Sequence, residues 1–425
     1  MPEPAGLRVA LLTYRGNPHS GGQGVYVKHL SRALMELGHS VEVFSGQPYP
    51  DVECSLTEVP SLDLYRQPDP FRRPRLREFR DWIDALEYGV MCTAGFPEPL
   101  TYSLRVERLL RHRRADFDLV HDNQCLGYGV ARLAQQGWPV VATIHHPIHV
   151  DRLLELKHSP LRRRISQRRW FGFLRMQGRV ARQLPRVLTV SESSARDLAH
   201  HMGIRPDRLS VVPIGVDHDI FRPLPDVARV PGRILAMASA DVALKGMLPL
   251  LEAMARLRRS RPAELVVVAR PRQDSQIPAT LRRLGLESAV RFVSGISDEE
   301  LVRLYAEAEV AVVPSLYEGF SLPAIQAMAC GLPLVATTAG ALPEVVGRDG
   351  ETGLLVPPGD SAALAAALDR ALGDPDLRAR LALAGRARAL TRFSWKACAE
   401  ATVEHYRDVI GRPATAPATS AASAA

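Results

Sequence analysis

Short, continuous apolar runs alternate with amphipathic stretches from one end of the chain to the other, and this alternation constrains the fold more than any other feature. A short apolar run is typical of a strand buried on both faces, whereas an amphipathic stretch is typical of a helix that covers a sheet. The pattern therefore predicts an α/β protein with parallel sheets covered by helices on both faces.

The first series of this alternation begins with a predicted strand at residues 8–12 and a glycine-rich turn at 20–24. A helix is predicted over 25–37, and Gly38 ends it. The other strands predicted in this half are 40–44, 119–121, 140–144 and 187–190. Together these elements predict one doubly wound domain.

The pattern restarts in the second half of the chain, with a helix at 247–259 among its strands. The strands predicted here are 234–237, 265–269, 291–293, 310–313 and 334–336. A proline-containing stretch without clear periodicity, 217–233, precedes them and reads as a linker. The predicted domains are residues 1–216 and 217–395, followed by a final helix at about 396–410 that comes after both units are complete. The Ala/Pro/Thr/Ser-rich tail, 411–425, is predicted to be disordered.

Composition narrows the class of protein. The 425 residues suit two domains, and 46% hydrophobic with 24% charged residues is typical of a globular protein. A formal net charge of +8 favours acidic partners such as nucleotides or phospholipids. No zinc-finger spacing or RNP-like motif is present, so nucleic acid is not a predicted partner. Five cysteines without a C-x-x-C pair indicate neither a disulfide framework nor a zinc site.

The sequence shows no signal-peptide pattern and no apolar window of the ~18–20 residues that a spanning helix needs. The predicted location is therefore the cytosol, with the cytosolic face of a membrane as an alternative. The segment 161–182 bears on that alternative because it holds eight Arg together with Trp170, Phe171 and Phe173. It reads either as a helix lying on an anionic bilayer or as a basic helix whose aromatic side chains enter the domain core.

Three short features are candidate ligand sites. Glycines in the loop 20–24 let backbone amides approach a phosphate, although such a loop is often only a turn. His145 follows a predicted strand, where ligands of open α/β sheets bind, but a surface histidine is an equal alternative. Lys245 enters a helix and suits a diphosphate as a point charge, and the alternative is a solvated lysine.

The segment 310–331 carries a stronger signal. A buried strand ends at Pro314, Glu318 lies in the following turn, and Pro323 fits the first turn of a helix that runs to Gly331. Unpaired amides at the start of that helix form a diphosphate site. Glu318 and Gln326 are placed to meet one ligand from the loop and the helix.

The segment 310–331 resembles the donor-binding signature of the family 4 retaining glycosyltransferases, which have the GT-B fold. The resemblance extends over most of the chain, with further matching segments at 7–39, 187–192, 211–217, 293–301, 339–346 and 353–360. It implies an α/β protein of two doubly wound Rossmann-like domains facing a central cleft, with the C-terminal helix crossing back to the N-domain. The N-domain is then expected to bind the acceptor and the C-domain a UDP- or GDP-linked sugar.

The resemblance also assigns roles to single residues. The implied catalytic residues are Glu318, which contacts the donor sugar, His145, which lies near the anomeric carbon, and Lys245, which neutralises the departing diphosphate. The implied donor-binding residues are Gly21, Gly22 and Gln23 in the glycine loop, Val293 at the base, the amides of Gly319, Phe320, Ser321 and Leu322 at the distal phosphate, and Gln326 at the ribose.

Two positions depart from the family pattern. Gln326 replaces a second acidic residue, and a neutral amide is expected to weaken ribose binding by about 1 kcal/mol. Ser239 stands where the family usually has an arginine, which removes one cation from the diphosphate. Arg270 or Arg272, in a turn that is usually glycine-rich, is a hypothesis for the replacement of that charge.

The expected function is the transfer of a sugar from a nucleotide diphosphate to a hydroxyl of a lipid, glycan or small-molecule acceptor, with retention of configuration. No acidic Asp-x-Asp metal site is predicted, so metal independence and no cofactor are expected. Catalysis then depends on positioning and on stabilising the leaving phosphate charge. One alternative is a non-catalytic sugar-nucleotide-binding protein, and another is a transferase that acts on a soluble secondary metabolite.

Overall fold

The structure is a computed structural model. It describes residues 6–17, 22–66, 69–146, 148, 149, 152, 161–238, 241–272 and 275–411, and no side chain is described for residues 161–163. The chain forms two compact units. The first comprises Met1–Val190, Ala195–Val212 and Cys398–Ala425, and the second comprises Ser191–Ser194 and Pro213–Ala397.

The described residues of the first unit form a seven-stranded sheet in which every pair of neighbours is parallel. Its strands are β1 (Arg8–Thr13), β2 (Ser40–Ser45), β3 (Ser55–Glu58), β4 (Leu119–Asn123), β5 (Val140–Ile144), β6 (Arg186–Thr189) and β7 (Leu209–Val211). The order β3-β2-β1-β4-β5-β6-β7 reverses direction between β1 and β4, and a crevice opens at such a switch point beyond the carboxyl ends of the strands.

Helices cover this sheet, and two short 3₁₀ turns accompany them. The helices are α1 (Gly22–Glu36), α2 (Trp82–Cys92), α3 (Glu98–Leu110), α4 (Tyr128–Gln135), α5 (Leu161–Trp170), α6 (Phe173–Ala181) and α7 (Glu192–Met202), and the 3₁₀ turns are Leu76–Glu78 and Pro206–Arg208. The core forms because β1 and β5 are apolar along most of their length and because every residue of β4 is buried, as in strands covered on both faces.

The second unit repeats the plan with a parallel six-stranded sheet among its described residues. Its strands are β8 (Arg233–Met237), β9 (Glu264–Val268), β10 (Val290–Val293), β11 (Val310–Val313), β12 (Leu334–Thr337) and β13 (Leu354–Val356). The order β10-β9-β8-β11-β12-β13 puts the switch point between β8 and β11. Two buried apolar clusters fill the unit.

The helices of the second unit follow its strands in the chain. They are α8 (Met247–Leu257), α9 (Ile277–Leu284), α10 (Asp298–Glu307), α11 (Leu322–Ala329), α12 (Leu342–Val346), α13 (Ser361–Gly373) and α14 (Pro375–Arg392), with a 3₁₀ turn at Ala243–Lys245. The last helix, α15 (Trp395–Ile410), begins in the second unit and from Cys398 belongs to the first.

The ten strands predicted from apolar runs are all present, with ends that differ by one or two residues. The sequence did not predict β3, β7 or β13 as strands. The helix predicted to reach Gly331 ends earlier, at Ala329. The predicted tail lies outside the described residues from position 412 onward. Among the helices that are described, none is both long and apolar enough to cross a bilayer.

Candidate active site

The switch point of the second unit brings together the two residues that the sequence singled out most strongly. Lys245 follows β8 and Glu318 follows β11, and these strands are neighbours in the sheet. Lys245 Nζ donates to Glu318 Oε1 over 2.7 Å. The Lys245 side chain keeps about a third of its surface exposed, whereas Glu318 is buried. A cation with an open face therefore lies where an anionic ligand binds in such sheets.

The turn that carries Lys245 ends on a glycine. Gly246 has a φ of 68°, a conformation that residues with side chains rarely adopt. A Cβ at this position would also lie 1.9 Å from the carbonyl oxygen of Pro314. In addition, the amide of Leu316 donates to the carbonyl of Leu244 over 2.7 Å. The turn after β8 thus packs directly on the turn after β11, which places Lys245 beside Glu318.

Glu318 is fixed from its own loop as well. Ser315 Oγ donates to Glu318 Oε1 over 2.9 Å, and Thr337 Oγ1 donates to the carbonyl of Ser315 over 2.6 Å. The carbonyl of Glu318 accepts from the amide of Ala341 at 2.8 Å. Both of these side-chain contacts fall on Oε1, so the protein fixes the position of that oxygen.

The backbone after Glu318 offers a set of amides to a ligand. Within the described part of the chain, no hydrogen-bond acceptor is found for the amides of Gly319, Phe320, Ser321 and Leu322. Ser321 caps α11, because its Oγ accepts from the amide of Ala324 at 3.4 Å. A helix start with free amides and a neighbouring lysine is an anion site.

Two serines of the second unit hold this loop from its carbonyl side. Ser191 Oγ and Ser194 Oγ donate to the carbonyl of Gly319 over 2.6 and 3.0 Å. Ser191 Oγ also accepts from the amide of Ser194 at 3.0 Å. Both side chains are buried. The sequence indicated that the segment 187–192 matches the family pattern, but it predicted no role for these serines. Their hydrogen bonds to Gly319 join positions that are far apart in the chain.

In the first unit, His145 lies at the carboxyl end of β5, beside the switch point between β1 and β4. Its Nε2 is 2.6 Å from Asn123 Oδ1, and its amide donates to Gln124 Oε1 over 2.8 Å. The ring of Tyr26 meets the imidazole edge-on, with ring centroids 4.4 Å apart. Burial lowers the pKa of His145 to about 4, so the ring is neutral at physiological pH.

A buried polar chain continues from this point into the unit. His121 Nε2 lies 2.7 Å from Thr143 Oγ1, and His121 Nδ1 lies 2.6 Å from the Tyr406 hydroxyl. Thr143 Oγ1 is also 3.2 Å from the Tyr26 hydroxyl. Burial, with a smaller effect of His145, lowers the pKa of His121 to about 3, so this histidine is neutral as well. The sequence gave no indication of His121, since its only signal is a position inside an apolar strand.

Comparison with known proteins assigns the chain to a family. Residues 20–220 match the family model described as Glycosyltransferase Family 4, and residues 231–374 match the model described as Glycosyl transferases group 1. An MMP alpha-(1->4)-mannosyltransferase from Mycolicibacterium hassiacum is 54% identical over 411 residues, which cover 96% of this chain and 100% of that protein. The chain belongs to glycosyltransferase family 4.

Other relatives of this family 4 glycosyltransferase agree with that assignment. A D-inositol 3-phosphate glycosyltransferase from Streptomyces scabiei is 31% identical, over 94% of this chain and 90% of the relative. The sucrose-phosphate synthase of Thermosynechococcus elongatus superimposes with a TM-score of 0.72 at 26% identity, covering 95% of this chain and 99% of that one. The fold is GT-B, and the chain is a glycosyltransferase that uses a nucleotide sugar.

One solved relative shows the fold with a donor bound. HepE from Anabaena, whose structure is a complex with UDP-glucose, has a TM-score of 0.68 at 19% identity, covering 95% of this chain and 100% of that one. The predicted recognition of the family and the predicted fold class are both confirmed.

Three other residues that the sequence predicts to bind the donor lie elsewhere in the second unit of the family 4 enzyme. Val293 ends β10 and is half-buried, and Arg270 is exposed after β9, which adjoins β8. Gln326 Oε1 accepts from the Tyr305 hydroxyl at 3.4 Å, which leaves its NH₂ group to a ligand. Their roles stay predictions.

Two predicted donor residues cannot be placed, and two others lie at the start of α1. Gly21 and Ser239 lie outside the described residues. Gly22 begins α1, and the carbonyl of Gln23 accepts from Asn123 Nδ2 at 3.3 Å. The glycine loop therefore leads into the helix that carries Tyr26, next to the His145 imidazole.

The segment 161–182 forms two helices, α5 and α6, and its aromatic side chains pack within the first unit. The Trp170 ring lies 5.1 Å from that of Phe96, and Phe173 lies 5.3 Å from Phe96. Phe171 is 6% exposed. Of the two interpretations of this segment, the structure shows the basic helix with aromatics turned into the unit. Binding of this segment to an anionic membrane surface stays a prediction.

Proposed function

We propose that this chain is a retaining α-(1→4)-mannosyltransferase that moves mannose from a nucleotide diphosphate, GDP- or UDP-linked, to the 4-hydroxyl of a sugar acceptor. The observation that carries it is the pair of Lys245 and Glu318, 2.7 Å apart, at the head of an amide-lined helix start. The choice of mannose and of the linkage is supported by the name of the relative that is 54% identical over its full length.

The donor diphosphate is proposed to bind at the amides of residues 319–322. Lys245 then stabilises the negative charge that builds on the phosphate as the bond between sugar and diphosphate breaks. Electrostatic stabilisation of this kind is usually the largest single contribution to the rate enhancement of an enzyme. Glu318 keeps Oε1 on Lys245 and Ser315, so the carboxylate is held in place while its other oxygen accepts from a sugar hydroxyl.

His145 is proposed to accept a hydrogen bond from a sugar hydroxyl through its neutral imidazole. Because its pKa is lowered to about 4, it is too weak a base to remove a hydroxyl proton near neutral pH. It therefore orients the substrate and does not transfer a proton. With a donor in which mannose is α-linked to the diphosphate, an α product means retention, which fits attack from the side on which the phosphate leaves.

The test is a transfer assay with the purified full chain, a panel of nucleotide sugars and a mannoside that carries a free 4-hydroxyl. We expect transfer from a mannose donor, undiminished by EDTA because diphosphate charge is met by Lys245 and amides. Lys245→Ala and Glu318→Ala should each lower turnover at least about tenfold. Donor binding without turnover would instead support a non-catalytic sugar-nucleotide binder, and no binding of any nucleotide sugar would refute the proposal.

We also propose that the protein is located in the cytosol and contacts an anionic membrane surface through 161–182. The exposed Arg168, Arg175 and Arg179 support it, and the packing of the aromatics removes its apolar part. Co-sedimentation with anionic vesicles that weakens with salt is the expected result. Equal recovery from neutral and anionic vesicles would remove the membrane from the account.

A further inference from the structure

The hydrogen bond between Asn123 and His145 determines which nitrogen of the imidazole carries the proton. The two side chains meet through Asn123 Oδ1 and His145 Nε2, at 2.6 Å. Asn123 is fully buried at the end of β4. A neutral histidine has one N–H and one lone pair, so the identity of the Asn123 atom decides the tautomer.

The orientation of the Asn123 amide follows from its other contacts. Its Nδ2 lies 3.3 Å from the carbonyl oxygen of Gln23, and a carbonyl can only accept. Nδ2 also lies 3.4 Å from Thr13 Oγ1, whose own proton is donated to the carbonyl of Arg15 at 2.8 Å. The NH₂ group must face these two acceptors, and the amide oxygen must therefore face His145. A carbonyl oxygen can only accept, so His145 Nε2 carries the proton.

We propose that Asn123 is a positioning residue that fixes His145 as the Nε2–H tautomer, so that Nδ1 is an acceptor for a hydroxyl of the sugar substrate. The role of Nδ1 rests on the proposed function, whereas the tautomer does not. The opposite tautomer would present an N–H at Nδ1 and would lose the hydrogen bond to Asn123. One buried amide thus sets the hydrogen-bonding character of a residue that contacts substrate.

The groups around the imidazole are consistent with a neutral ring. From α1 the Tyr26 ring packs on it, and from β4 the neutral His121 also lies near Tyr26, with the centroids of these two rings 6.3 Å apart. From β5, Thr143 contributes a hydroxyl to both Tyr26 and His121. Asp122, next to Asn123, is buried, accepts from the amide of Leu126 at 2.7 Å, and has a pKa raised to about 7 by burial.

The direct test is the ¹⁵N spectrum of the histidine side chains of the wild-type protein at neutral pH. His145→Gln identifies the resonances by their loss. We expect the shifts of a neutral imidazole protonated at Nε2. A neutral ring protonated at Nδ1, or a charged ring, would overturn the proposal, and this result does not depend on any transfer activity.

The kinetic test is Asn123→Asp, which keeps the size of the side chain and replaces the amide by a carboxylate against Nε2. The variant also loses the hydrogen bonds from Nδ2 to Gln23 and Thr13, and this loss does not depend on the titration of His145. A carboxylate this close favours the charged imidazole and raises the pKa of His145 toward neutrality. Below that pH, Nδ1 becomes a donor and cannot accept a hydroxyl. We expect kcat/KM of the variant to fall roughly tenfold per pH unit on the acid side and to recover at alkaline pH.

The double variant Asn123→Asp with His145→Gln separates this acid limb from the titration of Asp122. The limb should disappear when His145 is absent and should persist if Asp122 causes it. A loss in Asn123→Asp that is the same at every pH would indicate a merely structural role and would overturn the proposal. If the chain transfers no sugar at all, the proposed function fails while the ¹⁵N spectrum still decides the tautomer.

Discussion

Removing the two serines that hold the Gly319 carbonyl is predicted to weaken nucleotide binding while the fold is retained. Ser191 and Ser194 are 2% and 0% exposed, and their hydroxyls donate to that carbonyl over 2.6 and 3.0 Å. The same peptide segment carries the amides that are proposed to hold the diphosphate. Loss of the hydrogen bonds to the Gly319 carbonyl is therefore expected to change the direction in which the neighbouring N–H groups point.

The size of the effect follows from the contacts. A single alanine removes one of the two hydrogen bonds to the Gly319 carbonyl and leaves the other, at a cost of about 1 kcal/mol, or roughly fivefold in affinity. Ser191→Ala also removes the acceptor of the Ser194 amide, so its loss is expected to be the larger of the two. The double alanine variant leaves a buried carbonyl without a donor, at a cost of about 2 kcal/mol, or roughly thirtyfold. The loop that carries Gly319 can avoid this cost by changing its conformation, so that its carbonyl meets water. The ligand-binding conformation is then less populated, and the affinity for the nucleotide falls.

The assay is calorimetric titration with a nucleoside diphosphate, together with thermal denaturation of each variant. Ser193→Ala is the matched control, because the backbone amide of Ser193, and not its hydroxyl, donates to Glu344 Oε1 at 2.7 Å. We expect an unchanged Kd in the control and additive-or-greater losses in Ser191→Ala and Ser194→Ala. The reasoning is refuted if the double variant binds as tightly as wild type, or if the control loses as much.

Four further substitutions test the donor site. Gln326→Glu should tighten nucleotide binding about fivefold, since a carboxylate accepts from two ribose hydroxyls, and titration would show a weaker Kd if this is wrong. Arg270→Ala or Arg272→Ala should weaken binding of a diphosphate more than of a monophosphate; equal affinity of both variants and wild type removes the charge-replacement idea. Gly340→Ala should abolish turnover, because its Cβ would lie 2.1 Å from the carbonyl oxygen of Glu318, and near-normal kcat would show that this loop is more adaptable.

The sheet was predictable because strands buried on both faces leave continuous apolar runs, as in Val310–Val313, where every residue is buried. Two of the three missed strands lack that signal, and the third, Leu354–Val356, is only three residues long. Ser55–Glu58 and Leu209–Val211 lie at the two edges of the first sheet and are only partly buried, so polar residues interrupt their pattern. Edge strands of this kind are recognised by their pairing, which the linear sequence does not show.

Glu318 and Lys245 were identified as separate candidates, but their ion pair was not predicted. It depends on β8 and β11 being neighbours and on Gly246 fitting against Pro314, which are properties of the strand order. Asn123 was missed for a similar reason. A polar residue at the end of an apolar strand reads as the end of that strand, and only the partners of its amide reveal a role.

The most direct test of the central claim is the configuration and position of the bond in the first product formed from an α-linked nucleotide-diphosphate mannose and a mannoside with a free 4-hydroxyl. NMR of that product, taken early in the reaction, reports both properties at once. A new α-(1→4) bond whose formation depends on Lys245 and Glu318 is the predicted result. A β bond, or an α bond formed equally well without Lys245, would contradict the account.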